Sequence, residues 1–146
     1  MTVLRDDTLD LLRLSVLFQG FSDEELLAMC DDMSEGVYRA GHRILKQGTA
    51  GMEFFYILDG TAEVDVDGEL VATLKEGDFF GEVAALAQGV HTASVRATAP
   101  LRCLYLPNGS LQRFLLAHPQ LAVTLLHQVV RRFRSVVSSA PVAAAD

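Results

Sequence analysis

The spacing of hydrophobic positions changes twice along this chain and divides it into three zones. Over residues 4–33, apolar side chains recur at steps of three and four residues, which is typical of amphipathic helices. Within this zone Ser22 and Glu25 form a capping-box sequence, in which each side chain accepts a hydrogen bond from the other residue's amide. The first zone therefore predicts two short helices, the second of which starts just after Ser22.

Residues 35–107 follow a different pattern, with short runs rich in β-branched and aromatic side chains that end at glycine or aspartate-glycine. The runs are YRAGHRILKQG, MEFFYILDG, TAEVDVDG and ELVATLKEGD. Apolar and polar residues alternate around Val64 and Val66, and Asp67-Gly68 stands where a tight hairpin needs positive φ angles. Short strands separated by such turn signals predict a small antiparallel sandwich or barrel, that is, a β-roll.

Helical spacing returns over residues 108–139. The run NGSLQRFLLAHP predicts a short helix that stops before Pro119, which is itself a favourable first residue for a longer helix. The longer helix carries two apolar stripes, one made of Ala122, Leu126, Val129, Phe133 and Val136 and the other of Leu125, Val130 and Val137. One stripe is predicted to pack on the β-roll, and the other to meet a partner helix.

A helix that is apolar on two sides would leave a large hydrophobic patch in water, so we expect a homodimer. The residues expected at its interface are Leu126, Val129, Phe133 and Val136.

Composition narrows the class of protein. A chain of 146 residues, half of them apolar, has the usual size of one globular domain, expected over residues 1–139 with a frayed tail at 140–146. A formal net charge of −7 argues against direct nucleic-acid binding, which requires a basic face. Cys30 and Cys103 lie alone in apolar surroundings, as expected in a reducing cytoplasm. The sequence shows no signal-peptide or membrane-span pattern, so we expect a cytoplasmic protein without membrane attachment.

Sequence patterns of enzymatic chemistry are missing. We find no nucleophile and base at a recognisable spacing, no phosphate loop of the Gly-Lys-Ser type and no cysteine–histidine metal cluster. The scattered histidines are interpreted as surface or boundary residues: His42, His118 and His127. The arginines are interpreted as solvated, with Arg96 and Arg102 on exposed strand positions and Arg131, Arg132 and Arg134 on the charged side of the long helix. We therefore expect no enzyme, no metal and no cofactor.

Three motifs carry a family resemblance, namely LFQGFSDEEL, GTAGMEFFYILDG and EGDFFGE. With their glycines in register over roughly residues 14–137, the chain resembles the cyclic-nucleotide-binding domain of catabolite-activator-type regulators, cyclic-nucleotide-dependent kinases and gated channels. The resemblance implies a mainly β fold with flanking helices. Its centre would be an antiparallel, jelly-roll-like β-roll, preceded by N-terminal helices and followed by a long C-terminal helix.

In that family, the stretch from Phe-Gly-Glu to the next strand is the phosphate-binding cassette. The resemblance implies that Glu82 accepts a hydrogen bond from a ribose 2′-hydroxyl, while amides near Gly81, Val83 and Ala84 face the sugar and phosphate. Free amides and the helix dipole favour an anion at such a place. The alternative interpretation of Glu82 is an acid favoured by the dipole at a helix start.

His91 departs from the family pattern, because an arginine ends the cassette at this position. Arginine binds a phosphate as a permanently charged planar fork, whereas histidine as a residue type is largely neutral at pH 7. Losing a charged hydrogen bond, worth roughly 1.5 to 3 kcal/mol, predicts phosphate binding weaker by about tenfold to a hundredfold. Three interpretations remain: a surface strand residue beside an inactive pocket, a phosphate ligand when protonated, or a contact to a different ligand. The resemblance also places Thr92 where some cyclic-GMP-preferring members carry a hydroxyl that contacts guanine; the alternative interpretation is an ordinary strand threonine.

Two functional hypotheses follow. In the first, a small anion, with cAMP or cGMP as candidates, enters the β-roll weakly and repositions the terminal helix, which passes the signal to a partner. In the second, the fold is a ligand-independent scaffold for dimerisation or docking through residues 122–137. Few residues follow the long helix, so we do not expect a helix-turn-helix DNA-binding module.

Overall fold

The structure is a computed structural model that describes residues 7–87, 89–107 and 109–138, with side chains described as far as residue 135. The helices are α1 Thr8–Arg13, α2 Asp23–Asp31, α3 Glu82–Ala87, α4 Leu111–Ala117 and α5 Pro119–Ser138. The strands are β1 Ser34–Tyr38, β2 Arg43–Leu45, β3 Phe54–Asp59, β4 Ala62–Val66, β5 Glu69–Leu74, β6 Phe79–Phe80, β7 Ser94–Ala97 and β8 Leu101–Leu106. The tail predicted at 140–146 lies outside the described residues.

The strands form two four-stranded sheets, which we call sheet A and sheet B. Sheet A has the order β1-β8-β3-β6, and sheet B has the order β2-β7-β4-β5. Every pairing between these strands is antiparallel. The predicted fold class, an antiparallel β-roll with flanking helices and a long C-terminal helix, is confirmed.

Strand β3 explains why the sheets need helices on one side. All of its residues but the last are buried, although alternate side chains of a strand point to opposite faces. Phe54, Tyr56 and Leu58 join a core between sheet A and the helices. Phe55 and Ile57 join a second core, between the two sheets. The apolar run FFYIL is therefore buried on both faces, and the second core forms the floor of the β-roll.

Local signals in the sequence place several turns and helix ends correctly. Ser22 and Glu25 form the predicted capping box at the start of α2. Asp67 and Gly68 have φ angles of 54° and 82°, and the hairpin between β4 and β5 turns there as predicted. Pro119 is the first residue of α5, also as predicted.

Helix α5 divides its apolar residues differently from the predicted stripes. Leu121 and Leu125 are buried in the helix-side core, and Val129 packs against the same core. Leu126 and Phe133 are exposed, at 59% and 68%. Of the four residues predicted at a dimer interface, Val129 thus contacts the core of its own chain, and the side chain of Val136 lies outside the described residues.

The prediction that Arg102 is solvated is wrong. Its side chain is only 8% exposed and forms ion pairs with Glu35 at 2.6 Å and with Asp7 at 3.1 Å. It also donates a hydrogen bond to Thr8. The reason is position, because β8 is an inner strand of sheet A and α1 lies over it. Arg96, on β7, is exposed as predicted.

Both cysteines are free and buried, which agrees with their predicted place in the core. Burial raises the pKa of the Cys30 thiol to about 11 and that of Cys103 to about 12. None of the described helices has the length and apolar character needed to cross a membrane.

Candidate functional site

A cavity of about 380 Å³ opens between sheet B, the start of α3 and the C-terminal part of α5. All of the predicted ligand residues line it, although they come from two separate parts of the cassette: Gly81, Glu82, Val83, Ala84, His91 and Thr92. Apolar side chains of the sheets, including Leu45, Val64 and Val95, form much of the remaining wall. The fold therefore brings the whole predicted set to one concave surface.

Gly81 joins strand β6 to helix α3, and only glycine fits there without strain. Its φ is +86°, and a Cβ at this position would lie 2.5 Å from the carbonyl oxygen of Glu53. The Gly81 carbonyl then accepts the first helical hydrogen bond, from the amide of Ala85 at 3.1 Å. This tight turn aims the start of α3 at the cavity, where Val83 is 48% exposed and Ala84 is buried.

Glu82 stands at the start of α3 with its side chain only 14% exposed. Arg132 of α5 donates a hydrogen bond from Nη1 to its carboxylate at 3.2 Å. Burial raises the pKa of Glu82, while the guanidinium of Arg132 and hydrogen bonds to the carboxylate partly offset that rise. Glu82 is therefore a shielded hydrogen-bond acceptor connected directly to the C-terminal helix.

Arg132 corrects a second sequence prediction, since it does not belong to the charged side of α5. Its Nη2 donates a hydrogen bond to the carbonyl of Phe79, and its guanidinium carbon lies 3.8 Å from the centroid of the Phe79 ring. A signal was present in the sequence: Arg132 continues the three- and four-residue spacing of Leu125 and Val129, which face the core. Its neighbours Arg131 and Arg134 are exposed as predicted.

His91 is buried, with 6% of its surface exposed, so its interpretation as a surface strand residue is wrong. It precedes β7 and is held by main-chain hydrogen bonds, from its own amide to the Thr49 carbonyl and from the Gly48 amide to its carbonyl, each 2.9 Å. Its ring packs against Gly51, where an added Cβ would lie 2.5 Å from Nε2. The ring therefore lies between the 48–51 loop and the cavity.

Thr92 is exposed and lies in the cavity lining next to His91. Asp78 and Ser135 also line the cavity, although the sequence analysis did not single them out as ligand residues. The roles assigned to the cassette residues stay predictions at this point, because position alone does not identify a ligand.

The other histidines lie at or near the surface. His42 is exposed and stacks on Tyr38, His127 is exposed, and the half-buried His118 contacts Phe114. Within the described part of the chain, no group of three or more His, Cys, Asp or Glu side chains is arranged to hold a metal ion.

The fold and the cavity together define a ligand-binding β-roll. Comparison with known families identifies the family to which it belongs. Residues 35–118 match the family described as cyclic nucleotide-binding domain. Since the match covers more than half of the chain, this protein belongs to that family, whose domains serve as regulatory modules.

The curated relatives include protein kinases and kinase regulatory subunits. The chain is 39% identical over 90 residues to the cGMP-dependent protein kinase egl-4 of Caenorhabditis elegans. The aligned region covers 58% of this chain and 12% of the kinase. It is 40% identical over 75 residues to the cAMP-dependent protein kinase regulatory subunit of Schizosaccharomyces pombe, covering 51% of this chain and 18% of the subunit. The chain thus spans only a small part of these relatives.

Solved structures agree on the fold. A structure described as PKAR CBD2 bound to Sp-2Cl-cAMPS superposes with a TM-score of 0.74 at 27% identity, covering 88% of this chain and 86% of the other. The catabolite activator protein of Thermus thermophilus has a TM-score of 0.75 at 26% identity, covering 84% of this chain and 60% of its own.

Proposed function

We propose that this domain is a sensor that binds a 3′,5′-cyclic nucleotide in the β-roll cavity and transmits its occupancy to α5. The observation that carries the proposal is that Glu82, at the start of α3, lines one cavity with His91 and Thr92, which follow later in the sequence. Its volume of about 380 Å³ lies within the range of roughly 300 to 1,000 Å³ typical of small-molecule sites. Family membership and relatives named for cAMP and cGMP support this class of ligand.

Each part of such a ligand has a suitable wall in the cavity. The apolar side chains of Leu45, Val64 and Val95 suit a base, and the carboxylate of Glu82 suits a ribose hydroxyl donor. The amides at the start of α3 suit the phosphate, with His91 as a second and weaker partner. Binding is therefore expected to be weak compared with a site that holds an arginine in place of His91.

The contact between Glu82 and Arg132 provides the coupling to α5. A ribose hydroxyl that donates to Glu82 approaches the same carboxylate that Arg132 holds at 3.2 Å. Occupation of the cavity therefore changes the contacts of Arg132 with Glu82 and Phe79, and with them the docking of α5. The proposed role is ligand binding and not catalysis, and two free, buried cysteines support the expectation of a cytoplasmic location.

Titration calorimetry tests the nucleotide site directly. Cyclic AMP, cyclic GMP and cyclic dinucleotides are titrated into the wild-type protein and into Glu82→Ala, near pH 6 and near pH 7.5. We expect binding of a cyclic mononucleotide that is lost or much weakened in Glu82→Ala, because the acceptor for the ribose hydroxyl is removed. Absence of binding by the wild type at both pH values would contradict the proposal.

A homodimer through α5 is the proposed assembly, and a specific observation favours it. Val123, Leu126, Val130 and Phe133 are between 46% and 68% exposed and recur at steps of three and four residues. This spacing is that of a coiled-coil seam, and two copies of the stripe would cover each other. Sedimentation at tens of micromolar, a suitable range for a micromolar interface, is expected to give a dimer.

A further inference from the structure

The charges around the cavity are poorly suited to an anion. Among the described lining residues, the charged or titratable side chains are Asp78, Glu82, His91 and Arg132. Apart from His91, two carboxylates and one guanidinium give a formal charge of −1. Both terminal nitrogens of Arg132 are already engaged, by Glu82 and by the carbonyl of Phe79. The cavity therefore has no spare permanent cation in its described lining for a phosphate.

The position of His91 adds to this lack of a cation that could bind a phosphate. Its ring packs against Gly51, with Nε2 as the ring atom nearest to that glycine. Its main chain is held on both sides by Gly48 and Thr49, so the residue is anchored to the 48–51 loop. An imidazole is shorter than an arginine side chain, and above neutral pH it carries no charge. It therefore offers a phosphate at most one neutral hydrogen bond.

The contacts available to a nucleoside do not depend on phosphate. The apolar walls suit a base, and Glu82 suits a ribose hydroxyl, whether or not the sugar carries a cyclic phosphate. The amides at the start of α3 attract the phosphate, while the negative lining repels it. Above neutral pH these two effects oppose each other at the phosphate and leave ribose and base to supply the affinity.

We propose that, above neutral pH, this cavity binds an uncharged ribonucleoside about as tightly as the corresponding 3′,5′-cyclic nucleotide. The inference rests on the proposed function of the same site and extends its ligand class to nucleosides. With histidine at the position where the family pattern has arginine, ribose and base contribute more of the binding affinity than the phosphate does.

Calorimetry of paired ligands tests this inference. Adenosine with cyclic AMP, and guanosine with cyclic GMP, are titrated into the wild-type protein near pH 8, where histidine is neutral. We expect the dissociation constants within each bound pair to agree within about threefold. In His91→Arg, restoring a charged fork is expected to favour the cyclic nucleotide over its nucleoside by about tenfold to a hundredfold.

Two controls distinguish the effect of charge at position 91 from the effects of side-chain size and of the ribose contact. His91→Gln is neutral and of similar size, so the ratio of dissociation constants is expected to stay near the wild-type value. A 2′-deoxynucleoside in place of the ribonucleoside is expected to bind more weakly, because it lacks the 2′-hydroxyl that donates to Glu82. Thermal unfolding without ligand verifies that each variant is folded.

The outcomes distinguish this inference from the function on which it rests. If the wild type prefers the cyclic nucleotide by more than about threefold near pH 8, the inference fails and the cyclic-nucleotide sensor stands. If the wild type binds neither nucleosides nor cyclic nucleotides, both fail. Binding of nucleosides at least as tight as that of cyclic nucleotides supports the inference.

Discussion

Replacing Arg132 by methionine tests the connection between the cavity and the C-terminal helix. Methionine keeps an unbranched apolar stem but removes the guanidinium, which contacts Glu82, the carbonyl of Phe79 and the Phe79 ring. Arg131 provides the matched control, because it lies next to Arg132 on the same helix and is exposed. The two single variants therefore remove the same charge from adjacent positions with different surroundings.

The expected cost follows from the contacts that are lost. Arg132 is 35% exposed, so its ion pair is counted at the surface value of about 0.5 kcal/mol. The cation–π contact adds about 0.5 to 1 kcal/mol, and the hydrogen bond to the Phe79 carbonyl about 1 kcal/mol. Arg132→Met is therefore expected to lower the free energy of unfolding by roughly 2 kcal/mol near pH 8, and Arg131→Met by less than about 0.5 kcal/mol.

The loss of unfolding free energy in Arg132→Met also depends on pH, because Glu82 titrates. Burial raises the pKa of Glu82 above its ordinary value, and removal of Arg132 raises it further. A carboxyl whose pKa is higher in the folded state favours folding below its unfolded pKa of about 4.3, and this advantage is lost as the pH rises through the folded-state pKa. The difference between wild type and Arg132→Met is therefore expected to be about 1.5 kcal/mol near pH 4, where only the contacts with Phe79 count, and to grow to roughly 2 kcal/mol toward pH 8.

Urea denaturation at several pH values between these limits measures the effect. The reasoning is refuted if Arg132→Met and Arg131→Met cost the same, or if the cost for Arg132→Met does not change with pH. A cost that falls as the pH rises would reverse the sign derived for Glu82.

Three further predictions concern the core, the turn before α3 and the dimer. Arg102→Met removes a cation that is 8% exposed and is expected to cost about 3 kcal/mol in urea denaturation, whereas exposed Arg96→Met costs little. Gly81→Ala places a Cβ 2.5 Å from a carbonyl oxygen and is expected to cost about 2 kcal/mol or more in the same assay; Gly41→Ala, with φ +90° and open space, costs less. Phe133→Glu puts a charge at a residue that is 68% exposed and is expected to convert the proposed dimer to a monomer in sedimentation.

Each of these predictions has its own contrary result. Equal costs for the two arginine variants would mean that the cluster around Arg102 contributes nothing to stability. Equal costs for the two glycine variants would assign the whole effect to the positive φ and none to the close approach. A wild-type monomer would contradict the proposed dimer. A dimer that survives Phe133→Glu would mean that the interface lies elsewhere than on this stripe of α5.

Local chemistry in the sequence determined most of the architecture. The capping box of Ser22 and Glu25, the Asp67-Gly68 hairpin and Pro119 at the start of α5 are interactions between near neighbours, so the sequence contains both partners. The change from helical to strand spacing predicted the order of the zones for the same reason. Glycine motifs then identified the family, because these glycines occupy turns that other residues do not fit.

Only the tertiary structure decided the surroundings of Arg102 and Arg132, which were predicted to be solvated, and of His91, for which a surface position was one of three interpretations. All three are polar residue types, which are usually exposed, and the partners that bury them lie far away in the chain. Arg102 binds Asp7 across 95 residues, and Arg132 binds Glu82 across 50. The spacing of apolar residues indicates which face of a helix or strand a residue occupies. Which other element covers that face depends on the tertiary fold. Burial of a charge, and hence its role at the site, is therefore set by packing between distant segments.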